Sequence, residues 1–368
     1  MTALLTGLAS LLVFGGVILV HELGHFMAAR HCGIVVEEFS IGFGPCLWSK
    51  TKSGTNYSLR LFPLGGYNLF SRPEEDSDDS DDEKPRSKKP RKTALFPLAV
   101  HGQRFEDATA WHRFFVTLCG AMMNFLLGIA VLVVLVVSQG RIGSTTVADF
   151  GADSKSAAAL QVGDVILQVD GTPTRTVYTL SAAFDGTEAT HAMKVLRGGE
   201  VLTLPAVTVA PTRDADGSIE YGTDFRVASQ PLRIRSVAAA TGELFRYYSG
   251  AILGGFWELM TGKVGMDQLS GPVGTVSAVS QAVKYGWRDV LSLMALLTIN
   301  VGIFNLLPIP ALDGGRIVCL LITVVVEAIT KKKINPKYEG YLHGAGMILL
   351  LALMAIIMFK DVIFLFKR

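Results

Sequence analysis

The chemistry in this chain is concentrated in His21-Glu22-Leu23-Gly24-His25. Histidines four positions apart on a helix share one face, so two imidazoles can hold one Zn²⁺ while the glutamate between them reaches a water on the metal. Zinc lowers the pKa of such a water to about 7, and a neighbouring carboxylate can take its proton and hand it to a leaving amine. The position sharpens the signal, because the motif continues an apolar run, Leu4 to Val20. Each ionisable group costs on the order of 3 kcal/mol at a bilayer centre, so three in one turn call for a metal or a water-filled cavity. Two imidazoles leave a catalytic zinc one protein ligand short. Asp313 is the candidate for that ligand. It is the only acidic residue between Asp289 and Glu327, and it lies in Asn305-Leu-Leu-Pro308-Ile-Pro310-Ala-Leu-Asp313-Gly-Gly315, where prolines interrupt a membrane run. Broken helices at membrane depth are tolerated where they line a cavity. The competing reading is a surface Asp capping a helix that starts near Gly314.

Composition sets what can carry these residues. Half of the 368 residues are hydrophobic and 18% are charged, with 34 Lys and Arg against 32 Asp and Glu, a net charge of +2. That balance excludes an electrostatic nucleic-acid binder and a disordered chain. Cys32, Cys46, Cys119 and Cys319 lack CxxC spacing, which argues against a disulfide framework or a cysteine zinc site. Four apolar stretches are predicted to cross a bilayer: Leu4–Val20 running into His21–Ala29, Phe114–Val137, Val290–Ile309 continuing into Ile317–Val326, and Leu342–Phe359. Each main run meets the requirement of about 20 residues for about 30 Å of hydrocarbon. The first lacks a basic leader and a small-residue cleavage site and is read as a retained span. Basic residues cluster between the first two spans and at Lys331, Lys332, Lys333 and Lys337, so these loops are expected in the cytoplasm. The termini and Gln139–Trp287 then face outward, with Lys367 and Arg368 running against the trend.

The segments between spans divide by pattern. Glu38–Phe70 alternates polar and apolar residues between glycine-rich turns, which predicts short strands joined by hairpins. An exposed edge of such a sheet can accept an extended peptide as an added strand. Glu74–Glu83 holds eight acids in ten residues and Lys84–Lys92 six bases in nine, a solvated linker by composition. Thr145–Val209 reads as a small α+β module, with a capped helix at Asp153–Leu160, a strand within Gly163–Gly171 and a hairpin from Met193 to Leu204. Ile234–Met260 has the apolar spacing of an amphipathic helix. His31, His101, His112 and His191 are read as surface groups, His343 as a polar contact in the last span, and Asn124 as either facing the cavity or packing helices.

HELGH in the first span together with Asn305–Gly315 in the third resembles the site-2 protease family of intramembrane zinc metalloproteases. The order of parts is similar to the bacterial branch with an outward PDZ-like domain, which cuts anti-sigma factors and signal-peptide remnants. Phe43-Gly-Pro45, Phe62-Pro-Leu-Gly-Gly-Tyr67, Leu160–Ile166 and Ser270-Gly-Pro-Val-Gly274 add weaker matches. The resemblance implies an α-helical membrane protein with four transmembrane helices, a membrane-re-entrant β-hairpin and an extracytoplasmic PDZ-like α+β domain, set in a bacterial cytoplasmic (inner) membrane. The corresponding segments are 1–70 (first helix and hairpin), 71–110 (linker), 111–140 (second helix), 141–232 (PDZ-like domain), 233–287 (amphipathic region), 288–330 (third span with its Leu-Asp-Gly motif) and 331–368 (fourth helix). It further implies Zn²⁺ held by His21, His25 and Asp313, with Glu22 as the general base. Asn305, Pro308 and Pro310 would contact the substrate, with Asn305 holding its backbone. Gly42, Gly44, Gly65 and Gly66 would sit in strands that clamp the substrate in extended form. The implied partners are single-pass transmembrane substrates and the lipid bilayer, without nucleic acid. Two features depart from the family pattern: only one PDZ-like unit fits, and the charged insert at 74–92 has no counterpart. Alternatives are a membrane-anchored CAAX or stress-type zincin using a downstream Glu, and a non-catalytic scaffold whose PDZ-like module binds peptide tails.

Overall fold

A computed structural model of the protein describes residues 2–70, 102–151, 153–213, 219–265, 271–333, 335 and 337–366. The charged insert lies outside the described residues. In chain order the elements are α1 (Thr2–His31), β1 (Val36–Lys52), β2 (Thr55–Phe70), α2 (Ala110–Ser138), β3 (Arg141–Phe150), β4 (Val165–Val169), β5 (Thr172–Pro173), α3 (Val177–Ser181), β6 (Ala189–Arg197) and β7 (Glu200–Val209). There follow β8 (Thr212–Arg213), β9 (Ile219–Tyr221), β10 (Phe225–Pro231), α4 (Ile234–Met260), α5 (Pro272–Tyr285), α6 (Trp287–Leu306), α7 (Asp313–Thr330) and α8 (Lys337–Phe366). These form two compact units, Met1–Gly128 with Glu258–Arg368, and Ile129–Trp257.

The first unit contains His21, Glu22, His25 and Asp313. Among the described residues, four helices are long and apolar enough to cross a membrane, at Leu4–His31, Ala110–Ser138, Trp287–Leu306 and Tyr338–Asp361. Large apolar side chains such as Leu8, Leu12, Leu126, Ile348 and Ile356 are exposed on these helices, as a lipid-facing surface requires. The third run is not one helix. Proline lacks an N–H and pushes the residue before it out of helical geometry, so α6 ends at Leu306 with Leu307 extended, and α7 restarts at Asp313. Near the other end of the unit, Asp361 of α8 accepts the backbone N–H groups of Gly271 and Gly274, each at 2.9 Å, and so caps α5 from a distant helix.

The expected set of short strands is instead two long, bulged ones. Val36–Ile41 of β1 pairs with Gly66–Phe70 of β2, and Glu38–Ile41 pairs on its other side with Asn56–Leu59, while Cys46–Lys52 pairs back onto Thr55–Arg60. Gly42 and Gly44, with φ of +88° and +85°, supply the left-handed turns that let one strand curl this sharply. The sheet end nearest α1 is anchored by a small core of Ala28, Ala29, Ile34, Val36 and Val116, with Phe70 and Phe105 packed against it.

The second unit is an α+β module around a sheet in the order β10-β3-β4-β6-β7, with β5 on β4. Val147, Met193, Val195, Val207 and Phe225 are buried with Ile166 and Val169, which a register irregularity in β4 brings to the same core, closed by Leu160 and Leu180. The strand and hairpin expected here are present, with β6 and β7 joined through Gly198 and Gly199 at positive φ. The capped helix expected at 153–160 is only a 3₁₀ turn at Ser156–Ala158. Its cap is Asp224, whose carboxylate accepts the N–H groups of Lys155 and Ser156, and not Asp153. Beside it, Asp164 is almost fully buried and takes a two-pronged hydrogen bond from Arg197 at 2.7 and 2.6 Å. Helix α4 has the predicted bounds and buries Ala240, Thr241 and Leu244 while exposing Tyr247, Leu253 and Trp257.

Candidate metal centre

Helices α1 and α2 cross at glycines. A β-carbon on Gly24 would fall inside contact distance of the Cys119 carbonyl oxygen, and one on Gly120 would strike the His25 imidazole and sit 2.9 Å from Cε1 of His21. Small residues at such a crossing let backbones approach closely. The approach gives each imidazole a partner on its rear nitrogen. His25 Nδ1 donates to the Val116 carbonyl at 2.9 Å, and His21 Nδ1 lies 3.4 Å from the Asn124 amide. Metal-bound histidines characteristically donate their second N–H. It is Nδ2 of Asn124 that faces His21 Nδ1, while Oδ1 is buried with no partner, so turning the amide over would present the acceptor that a His21 Nδ1–H needs. Both Nε2 atoms are thereby turned the same way, towards α7.

Asp313 meets them there. It is the first residue of α7, brought in by a loop that leaves no room for side chains: β-carbons on Gly314 and Gly315 would strike the carbonyls of Leu307 and Ile309. Ala311 holds φ of +83°, a region costly for a residue with a β-carbon, and its N–H is accepted by Nδ1 of His343 on α8 at 3.1 Å. Gly346, one helical turn on, packs against Pro310. The result is a triangle: His21 Nε2 to His25 Nε2 is 3.2 Å, and Oδ2 of Asp313 is 3.2 Å from each.

Those distances discriminate. Ligand atoms about 2.0–2.1 Å from a tetrahedral zinc stand about 3.3 Å from one another, so the triangle has the size of one face of that tetrahedron. Oδ2 of Asp313 is buried without a satisfying hydrogen bond, as a coordinating atom would be. No second set of three such donors converges among the described residues. Two neutral imidazoles and one carboxylate suit zinc, and a fourth position remains for water or substrate.

A cavity of about 350 Å³ opens on this triangle. His21, Glu22, His25, Asn305 and Asp313 line it, as do Phe43, Gly66, Tyr67 and Asn68 from the hairpin. Of the residues expected at the site, Gly42, Gly44, Gly65, Pro308 and Pro310 do not line the cavity. The first three shape the hairpin and the prolines shape the loop, while their neighbours Phe43, Ala311 and Leu312 reach the cavity. Gly120 and Asn68 were not singled out by sequence reasoning. Gly120 stands in an ordinary small-residue span, where nothing marks one glycine as facing imidazoles, and Asn68 is a lone polar residue in a strand. Asn68 fits the polar–apolar alternation of Tyr67-Asn68-Leu69, so no local signal marks it.

The chain matches the model of peptidase family M50 over residues 9–353. Several curated relatives carry the name "putative zinc metalloprotease". One from Fusobacterium nucleatum is 34% identical, covering 97% of this chain and 98% of that protein. Another from Clostridium perfringens is 31% identical over 96% and 98%, and one from Agrobacterium fabrum is 33% identical over 98% and 97%.

Proposed function

Since the chain belongs to peptidase family M50, we propose that it is an intramembrane zinc endopeptidase that cuts single-pass membrane proteins within their spans. Its being a zinc metallopeptidase and a multi-pass membrane protein follows from the family and from its four long apolar helices. The site of attack and the substrate class are our reading. The observation that carries it is the 3.2 Å triangle of His21, His25 and Asp313, built from α1, itself a candidate span, and α7.

His21, His25 and Asp313 would hold the zinc. When bound, zinc supplies a Lewis acid for the scissile carbonyl and makes a water acidic enough for a carboxylate to deprotonate. Glu22, next to the first ligand, takes that proton and delivers it to the amide nitrogen as the C–N bond breaks. A peptide bond inside a helix is shielded by its own turns, so the substrate must extend locally. The Gly66–Phe70 segment is paired on one side with β1 and borders the cavity, offering backbone groups to such a strand. Asn305, which lines the same cavity, would hold the substrate backbone. The α+β module is read as PDZ-like and extracytoplasmic, admitting membrane proteins already stripped of bulky outer domains. The membrane is read as the bacterial cytoplasmic one, and anti-sigma factors and signal-peptide remnants as the substrate types.

The test is zinc content and cleavage of a panel of truncated single-pass proteins by the reconstituted full chain. Glu22→Gln should hold stoichiometric zinc and cut nothing, whereas Asp313→Ala should lose both metal and cleavage. Wild-type cleavage by Glu22→Gln refutes the mechanism.

A further inference from the structure

The hairpin touches the proposed base directly. Asn68 of β2 donates from Nδ2 to Oε2 of Glu22 at 2.8 Å and to the Glu22 carbonyl oxygen at 2.9 Å. We infer that Asn68 is a positioning residue for Glu22, so that the strand edge expected to receive the substrate also fixes the carboxylate that moves the proton. The inference rests on the reading of Glu22 as the base.

A glutamate on a helix surface swings about three side-chain torsions, and a base works only when held within hydrogen-bond reach of the proton it takes. Among the described residues, the hydrogen bond that restrains this carboxylate comes from Asn68. The second bond, to the carbonyl of the same residue, fixes where the amide itself sits on α1. It forms a two-point clasp instead of a chance contact at one rotamer. Close packing keeps the strand at that spacing: a β-carbon on Gly66 would stand 2.8 Å from Cγ of Glu22 and 2.9 Å from the Ser40 carbonyl oxygen. Asn68 is opposite Phe39 in the β1–β2 register, and Phe39 is buried and packs edge-on to Phe26 of α1 with ring centroids 5.3 Å apart. The strand position that bears the amide is therefore anchored on the same helix that bears the base. Only a donor serves here. An apolar side chain of equal size would fill the space and leave the carboxylate free to rotate.

Those two roles, filling and donating, are separable. The experiment uses the zinc-loaded full chain in liposomes and a synthetic single-pass peptide whose Leu/Ala span is interrupted by Asn-Pro. It compares wild type, Asn68→Leu, Asn68→Gln and Glu22→Gln for kcat, KM, zinc content and thermal midpoint. Asn68→Leu keeps the branched outline and the number of heavy atoms and loses the donor. It should lower kcat by roughly tenfold to a hundredfold, the loss usual when a supporting hydrogen bond behind a reacting group is removed, with KM, zinc content and midpoint unchanged. Asn68→Gln, which keeps an amide donor, should recover part of the rate. Wild-type kcat in Asn68→Leu overturns the inference, as does a rate loss accompanied by loss of zinc or of thermal stability, or a Gln variant no faster than Leu. Glu22→Gln separates the two levels. If it is inactive while Asn68→Leu is normal, only the positioning role fails. If it cuts like wild type, the assignment of the base fails.

Discussion

Gly120 of α2 stands against the imidazole of His25 with no space for a single methyl group. Helices α1 and α2 therefore touch through the imidazoles of the triangle. Gly120→Ala should push α2 away from α1 or rotate His25 off its Val116 partner, and in either case disperse the triangle. Zinc affinity should fall at least about tenfold, as measured by metal competition on the purified chain. Gly15→Ala in the same α1, where a β-carbon meets nothing within 4 Å, is the control and should bind zinc normally. Equal zinc affinity in both variants would show that the close approach is immaterial.

His343 and Ala311 make a second prediction. The loop conformation at Ala311 costs about 1–3 kcal/mol in a residue with a β-carbon, and His343 is the side chain seen holding its N–H. His343→Ala should release the loop and speed zinc dissociation. Ala311→Gly removes the strain, so in the His343→Ala background it should slow dissociation again. Stopped-flow transfer of zinc to a chromogenic chelator gives both rates. If the double variant releases zinc as fast as His343→Ala, the strain argument is wrong.

What the sequence made legible is uneven for reasons these residues illustrate. His21, Glu22 and His25 lie within one helical turn, so their convergence is a matter of local periodicity. The spans were equally plain, since twenty apolar residues announce themselves without any partner. Gly120, Asn68 and His343 act through contacts between elements far apart in the chain, and no local pattern reports which neighbour a glycine or an amide will face. The same holds for the module: the Gly198-Gly199 hairpin is a local signal, whereas Asp224 reaches back to cap the turn at Ser156 from another strand. Even the long curled strands follow from this. Glycines at 42, 44, 65 and 66 read as turns between short strands; positive φ keeps local turns at 42 and 44 only, and tertiary packing against Phe43, Phe62 and Glu22 shows all four to be close-approach points along continuous strands.

The pair Asp164–Arg197 gives a prediction in pH. The Arg197 hydrogen bonds hold the Asp164 carboxyl below the usual carboxylate range, helped by the Gln161 N–H and opposed by burial. A carboxyl whose folded pKa is depressed lends stability above its unfolded value, about 3.9, and that contribution is lost as pH falls through the lower folded value. Amide exchange at Ile166 and Val195 in the full chain should accordingly quicken as pH drops below about 4, beyond the intrinsic exchange trend. Asp164→Asn should destabilise the module by about 1–3 kcal/mol at neutral pH and flatten the acid dependence. An unchanged acid profile in that variant would exclude the pair as its source.

The split of the ligand set between α1 and α7 has a consequence for biosynthesis. A ribosome making this chain threads the paired histidines into the bilayer first and the aspartate only after the module and two more long helices have followed. Throughout that interval a partly made product would hold Glu22 and the two imidazoles without the carboxylate of Asp313. On the proposed ligand assignment, cleavage would have to wait until the ribosome has passed α7, so that synthesis itself would delay the onset of activity.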